Sequence, residues 1–210
     1  MTDYAAPAYA ELQVTSNFSF LRGASHPEEL IERAKALGYR ALALTDECSF
    51  AGAVRAHLAA RDAGLPLVFG SEVTLVEGTR LVLLATDRES YGDLSQLITR
   101  GRRHVVKGAY RLTRDDVATL GSRCLALWLP ALDLRAGDAD ARMRAEAAFV
   151  RDAFAARAWI DVELLGVGRA AQEREIRQAV KLGIGRQHVG RCHTHPIYGI
   201  RPALASPRNA

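Results

Sequence analysis

Apolar positions along the chain fall into short runs, and these alternate with stretches whose apolar residues recur at the spacing of an amphipathic helix. Runs at residues 9–14, 41–45, 67–75, 81–85, 124–129 and 159–164 predict strands. Between the first two, Ser25 and Glu28 have capping-box spacing with Pro27 inside the first turn. Leu30, Ile31, Ala34 and Leu37 then repeat at helical spacing until Gly38. Further helices are predicted at 50–63, closed by Gly64, and at 89–103, 114–120, 140–156 and 170–182. Gly78 sits between two apolar runs and predicts a tight return. Such alternation points to an α/β architecture built on a parallel sheet.

After Leu182 the pattern dissolves. Residues 183–210 hold four Gly, three Pro, four Arg and no Asp or Glu, with neither helical period nor strand alternation. Poor order is expected beyond Pro196, which leaves one domain at 8–195 and an irregular tail at 196–210.

A chain of 210 residues, 49% hydrophobic, can bury one sizeable core. It has no apolar run of bilayer length and no basic-then-apolar leader, so a soluble cytoplasmic protein without a membrane partner is expected. Cys48, Cys124 and Cys192 are widely spaced with no CxxC pair, which argues for free thiols rather than disulfides or a thiolate metal site. The net charge of +4 comes from the tail arginines Arg186, Arg191, Arg201 and Arg208, and the remaining 24 basic residues match 24 acidic ones. One basic cluster remains, Arg100, Arg102, Arg103, His104 and Lys107, and it reads as a solvated helix end rather than a DNA contact. A free-standing nucleic-acid binder resting on this cluster and the basic tail is a further reading, with weak or no binding expected near physiological salt.

Chemistry in parallel α/β barrels gathers at the carboxyl ends of strands. Glu11, Gln13, Asp46, Glu47, Glu72, His193 and His195 lie at or just after such ends. Carboxylates and imidazoles converging there could hold paired divalent metals that activate water against a phosphate ester. Taken singly, Asp46 reads equally as a helix cap and Glu72 as a solvated side chain. Phosphate-binding GxxxxGK[ST], GxGxxG, GxSxG and HExxH motifs are absent from the sequence, as is an acidic pair in a polymerase-palm setting.

The stretch YAELQVTSNFSFLRGASHPEELIERAKALGYRALALTDECSFAGAVRAHLAARDAGLPLVFGSEVTL, followed by RLVLLATDRESYGDLSQLITRGRR, KGAYRL and RAWIDVELL, resembles the opening of error-prone polymerases related to the alpha subunit of bacterial DNA polymerase III. The resemblance covers residues 9–182. It implies a PHP domain (polymerase and histidinol phosphatase type), a distorted seven-stranded β/α barrel that is incomplete at its C-terminus. In metal-competent relatives such a barrel carries His, Asp and Glu ligands around divalent ions.

This sequence departs from that ligand pattern. The opening HxH is Glu11 and Gln13, the acid before glycine is Arg22, and the Asp-His after the second strand is Asp46 and Glu47. Glu72 keeps the pattern's glutamate, the next histidine is Arg80, and the late Asp-x-His is Arg191 and His193. An arginine offers no lone pair and stays protonated, so guanidiniums pairing with Glu11, Glu47 and Glu72 are expected where metals would sit.

The resemblance thus implies a noncatalytic PHP fragment, cut off before any polymerase module, that supports an error-prone, translesion-type DNA polymerase. No cofactor is expected on this reading. Its partners would be the rest of the polymerase, DNA and other translesion-repair proteins. The competing reading is a phosphoesterase using Mn, Zn or Mg on a rearranged set, Glu11, Asp46, Glu47, Glu72 and His193.

Overall fold

A computed structural model describes residues 9–103, 105–130, 139–161 and 185–187. Seven strands form one sheet in chain order: β1 (Ala10–Val14), β2 (Ala41–Leu44), β3 (Leu67–Thr74), β4 (Arg80–Leu84), β5 (Leu125–Leu129), β6 (Ala158–Asp161) and β7 (Gly185–Gln187). Among the described residues the helices are α1 (Pro27–Ala36), α2 (Ala53–Ala63), α3 (Arg88–Arg103), α4 (Arg114–Leu120) and α5 (Ala139–Phe154), the last continued by one 3-10 turn. The sheet curls into a partial barrel, which agrees with the fold expected from the sequence.

Both sheet faces are covered, which explains why the strands read as continuous apolar runs rather than as alternating ones. On the concave face Ala43, Val82, Leu84, Leu127 and Leu129 pack with Val68 and Trp159. Outside, α1 and α2 place Leu30, Ile31, Ala34, Ala56 and Ala60 on Val14, Leu42 and Leu44. The other outer layer sets Leu94, Leu97, Val150 and Phe154 against Leu81, Leu83, Trp128 and Ile160. Trp128 lies within this apolar layer, and its indole N–H donates to the buried Glu146 at 3.0 Å.

Three expectations need correcting. The sheet is mixed rather than parallel, because β4 runs antiparallel to both β3 and β5. The return at Gly78 (φ 87°) is a hairpin, and it reverses the chain before any crossover helix is possible. The first helix is capped one residue later than the Ser25–Glu28 spacing suggested: Glu29 accepts from the His26 backbone N–H at 2.8 Å, with Pro27 opening the helix. Third, β7 was not predicted, since its three residues are too few to show a period. The helix expected at 170–182 and the tail at 196–210 lie outside the described residues.

The reversal at β4 fixes where chemistry can gather. The C-terminal ends of β1, β2, β3, β5 and β6 share one mouth with the N-terminus of β4, where Arg80 pairs with Thr74 and Leu129. At the other end of the β3–β4 ladder Gly70 allows close contact: a Cβ there would lie 2.6 Å from Leu84 Cδ2 and 2.7 Å from the Leu83 carbonyl oxygen. Since the ladder holds that carbonyl, Gly70→Ala is expected to lower stability by about 1–3 kcal/mol, read from the urea midpoint. An unchanged midpoint would mean that the strands separate freely there.

Candidate functional site

Glu11 and Gln13 come from β1 and Tyr9 from just before it, and the pairing of β1 with β2 shifts register between Glu11 and Val14. Glu72 and Arg80 occupy the concave faces of β3 and β4, alongside Val82. The loop after β1 brings Arg22 over this mouth, and the turn after β2 brings Asp46 and Glu47, with Glu47 bridged to Glu72. Of the sequence-predicted positions, Gln13, Asp46, Glu47 and Glu72 therefore gather at one end of the barrel, and Glu11, paired with Leu42, joins them through the Gln13 backbone N–H. His193, together with Arg191 and His195, lies outside the described residues.

Glu72 is the hub. Only 1% exposed, it accepts at Oε1 from Arg22 Nη2 and Arg80 Nη2, both at 2.8 Å, and at Oε2 from Gln13 Nε2 at 2.9 Å. Burial alone would raise its pKa, but the hydrogen bond from Arg80 and the charge of Arg22 outweigh this and hold the carboxyl below its ordinary value. Arg22 turns its other amino group to Glu47, with Nη1 to Oε2 at 2.8 Å. Burial of that guanidinium opposes its charge, yet Glu47 and Glu72 together raise its pKa further. Arg22 and Arg80 remain about a third exposed, so the ion pairs form a lid between buried carboxylate and solvent.

Two of the three expected guanidiniums are therefore paired with carboxylates, and Arg191 lies outside the described residues. The expectation that Glu11 would pair with arginine needs correction. It is 2% exposed and accepts instead from the Tyr9 hydroxyl at 2.7 Å and from the Gln13 backbone N–H at 3.3 Å. Burial without a counter-charge pushes its pKa up to about 7. Beside it, Gln13 Oε1 is buried without a hydrogen-bond partner.

Asp46 acts locally. It accepts from the Ser16 backbone N–H (2.8 Å), the Ser16 hydroxyl (2.7 Å) and the Ser19 hydroxyl (2.7 Å), and so clips the loop carrying Arg22 to the end of β2. Gly23 makes the clip possible, because a Cβ there would meet the Ser16 carbonyl oxygen at 2.1 Å. The backbone is strained beside both ion-pairing partners: Leu21 precedes Arg22 with φ 62°, and Cys48 follows Glu47 with φ 44°. Arg102 offsets the second strain by donating to the carbonyls of Glu47 and Cys48 at 3.1 Å. Its guanidinium also lies 5.2 Å from the Tyr110 ring centroid, and Tyr110 donates to Glu47 Oε1 at 2.9 Å.

Sequence reading missed Tyr9, Tyr110, Arg102 and Asp161. Tyr9 carried a signal, its two-residue spacing from Glu11. Asp161, buried, follows Trp159 by the same spacing and ends β6 at the mouth. Tyr110 and Arg102 arrive through tertiary packing and carried none.

Fitness for a metal cluster can be judged from these contacts. Both Glu72 oxygens and both Asp46 oxygens already accept hydrogen bonds, and two guanidiniums stand among the carboxylates, where they would repel a divalent ion. Among the described residues no group of three or more His, Cys, Asp or Glu side chains is arranged to hold a metal ion. Burial pushes the nearby Cys48 thiol up to about 11, away from the thiolate that binds metals. The described residues do not fit a divalent cluster.

The class follows from comparison. A family profile described as the PHP domain matches residues 11–155, and the chain belongs to that family. Within it, the chain is similar to proteins named error-prone DNA polymerase. It is 51% identical to that of Dechloromonas aromatica over 75% of this chain and 15% of the relative. With that of Methylococcus capsulatus it shares 46% identity over 91% of this chain and 18% of the relative. The match to that of Bordetella parapertussis is 43% over 97% and 21%. The chain thus spans about a fifth or less of the length of these curated relatives.

Among solved structures, one described as a metal-dependent phosphoesterase from Bifidobacterium adolescentis superposes with TM-score 0.64 at 14% identity, over 88% of this chain and 87% of that one. An amidohydrolase from Chromobacterium violaceum gives 0.63 at 17%, over 89% and 88%. At these identities the likeness concerns the fold.

Two variants test the electrostatics. A buried carboxyl raised to about 7 favours folding fully below its unfolded value near 4.5, and that contribution is lost as pH rises through 7. Glu11→Gln should therefore be more stable than the parent at pH 8, by at most about 3 kcal/mol, with the gain vanishing near pH 4.5. Chemical denaturation across that range checks it, and a parallel pair of curves would contradict it. Glu72 has the opposite sign, its contribution being present above the unfolded value and lost as pH falls through the native one. Glu72→Gln leaves two guanidiniums on a neutral amide and should cost about 3 kcal/mol at pH 7, the low end for a broken buried pair because both arginines reach water.

Proposed function

We propose that this chain is a noncatalytic PHP module whose mouth is held by arginine–carboxylate pairs in place of metal ions. It would support the body of an error-prone DNA polymerase of the kind it resembles. The observation that carries this is Glu72, whose Oε1 accepts from both Arg22 and Arg80. A divalent ion polarises and activates water, whereas a guanidinium saturated by carboxylates only neutralises and orients. The same pairs fix the loop of residues 16–23 against β2 and β3, so the module supplies a rigid surface rather than a reaction. Supporting the polymerase reading are the three relatives, which share 43–51% identity with this chain.

In that setting the partners are the polymerase portion and DNA, together with other proteins of translesion synthesis and DNA repair, in the cytoplasm. No helix among the described residues is long and apolar enough to cross a membrane. The domain would span residues 8–195, with 196–210 as its tail, and no resident cofactor is required. The polymerase activity itself belongs to the longer relatives' chains.

The second reading is a phosphoesterase holding Mn, Zn or Mg on Glu11, Asp46, Glu47, Glu72 and His193. Its support is that Glu47 and Glu72 are bridged at the barrel mouth, with Asp46 next to Glu47 in the chain. Elemental analysis of purified protein supplied with Mn or Zn, paired with hydrolysis of a generic phosphate ester, separates the two. The scaffold reading expects substoichiometric metal and no turnover. Stoichiometric metal with turnover abolished in a folded Glu72→Ala variant would establish the enzyme.

A further inference from the structure

The helix end that read as a solvated cluster is one wall of a groove. Ser95, Gln96, Thr99, Arg100 and Arg103 of α3 face Leu120 of α4 across a space of about 310 Å³. The chain then returns past it: the Arg111 backbone N–H donates to the Gly101 carbonyl at 2.9 Å, so Arg111 lies beside the last turns of α3, with Lys107 on the intervening loop. Arg103, Lys107 and Arg111 are exposed and make no ion pair among the described residues. Arg100 makes a single contact, Nη1 to Asp116 Oδ1 at 3.2 Å. Arg102 is spent on four backbone carbonyls, those of Glu47, Cys48, Gly108 and Ala109.

Favourable placement of cations at a helix C-terminus accounts for Arg100 and Arg103. It does not account for Lys107 and Arg111, which lie beyond the helix, nor for an open groove lined with hydroxyl and amide groups. Guanidinium, ammonium, Ser, Thr and Gln side chains around a trough are the donor set that contacts the sugar–phosphate chain of nucleic acids. Val106, 79% exposed, adds an apolar face next to the cations. A pocket for an uncharged small molecule would instead be enclosed and mainly apolar.

We propose that this groove and the loop after α3 hold the phosphodiester backbone of a nucleic-acid strand. The contacts are ionic and read no sequence, so affinity is set by charge and falls with salt. The loop touches the barrel mouth through Tyr110, which donates to Glu47 Oε1 at 2.9 Å. The proposal rests instead on Arg103, Lys107 and Arg111 and stands whether or not the scaffold reading does, since metal content and hydrolysis do not bear on it.

The test is fluorescence anisotropy of a labelled oligothymidylate titrated with the full 210-residue chain across a salt series. Saturable binding is expected near about 50 mM salt. The triple variant Arg103→Glu, Lys107→Glu, Arg111→Glu uses exposed residues and should melt like the parent. It should weaken binding at least about tenfold and flatten the slope of log affinity against log salt by about 2. Arg201→Glu with Arg208→Glu, in the basic C-terminal stretch, should leave binding essentially unchanged. Absence of binding by the parent, an undiminished affinity in the folded triple variant, or a loss carried wholly by the Arg201 and Arg208 variant would each overturn the proposal. Inorganic phosphate competing as well as the strand at equal ionic strength would also overturn it, in favour of a lone oxyanion site.

Discussion

A carboxylate that is 1% exposed must be neutralised by a proton or by counter-charge, and Glu72 is neutralised by two arginines. Bringing such a group out of water costs several kcal/mol, and hydrogen bonds from charged donors return about 1.5–3 kcal/mol each. Two guanidinium bonds and the amide of Gln13 offset that penalty. Glu11 supplies the internal control. Almost equally buried, it is met by neutral donors, a phenol and backbone N–H groups, and burial drives its pKa to about 7. Counter-charge, rather than depth in the barrel, decides which glutamate stays ionised.

The backbone around the mouth follows from that pairing. Arg22 reaches Glu72 only because the loop after β1 folds down over the strand ends, which places Leu21 in the left-handed region and brings Gly23 onto the Ser16 carbonyl. Asp46, with three hydrogen bonds to Ser16 and Ser19, holds the fold of that loop. On the other side, Arg102 and Tyr110 hold the turn carrying Glu47. Ligand positions of a metal-competent barrel thus survive as a geometric frame in which charge is balanced within the protein.

The sequence made much of this legible. Strand and helix positions could be read from residues 9–161 because buried strands show as apolar runs and α1 and α2 keep their period. The mixed sheet was harder. Gly78 announced a turn, but the antiparallel pairing of β4 with β5 depends on a contact across more than forty residues of chain, which local pattern does not encode. Within the site, Arg22 and Arg80 were found because they occupy positions where the resemblance demands ligands. That Glu11 would be left to Tyr9 was not readable, since choosing among three carboxylates requires knowing which side chains the curled sheet brings within 3 Å of each other. Gln13 looked like a lost ligand; it is a structural donor to Glu72.

The central claim is that guanidiniums hold the positions that metal ions would otherwise take. Crystals grown with Mn and measured for anomalous scattering test it most directly. The account predicts Arg22 and Arg80 on Glu72 with no anomalous peak at the barrel mouth. Peaks bound by the carboxylates, with both arginines turned out to solvent, would contradict it.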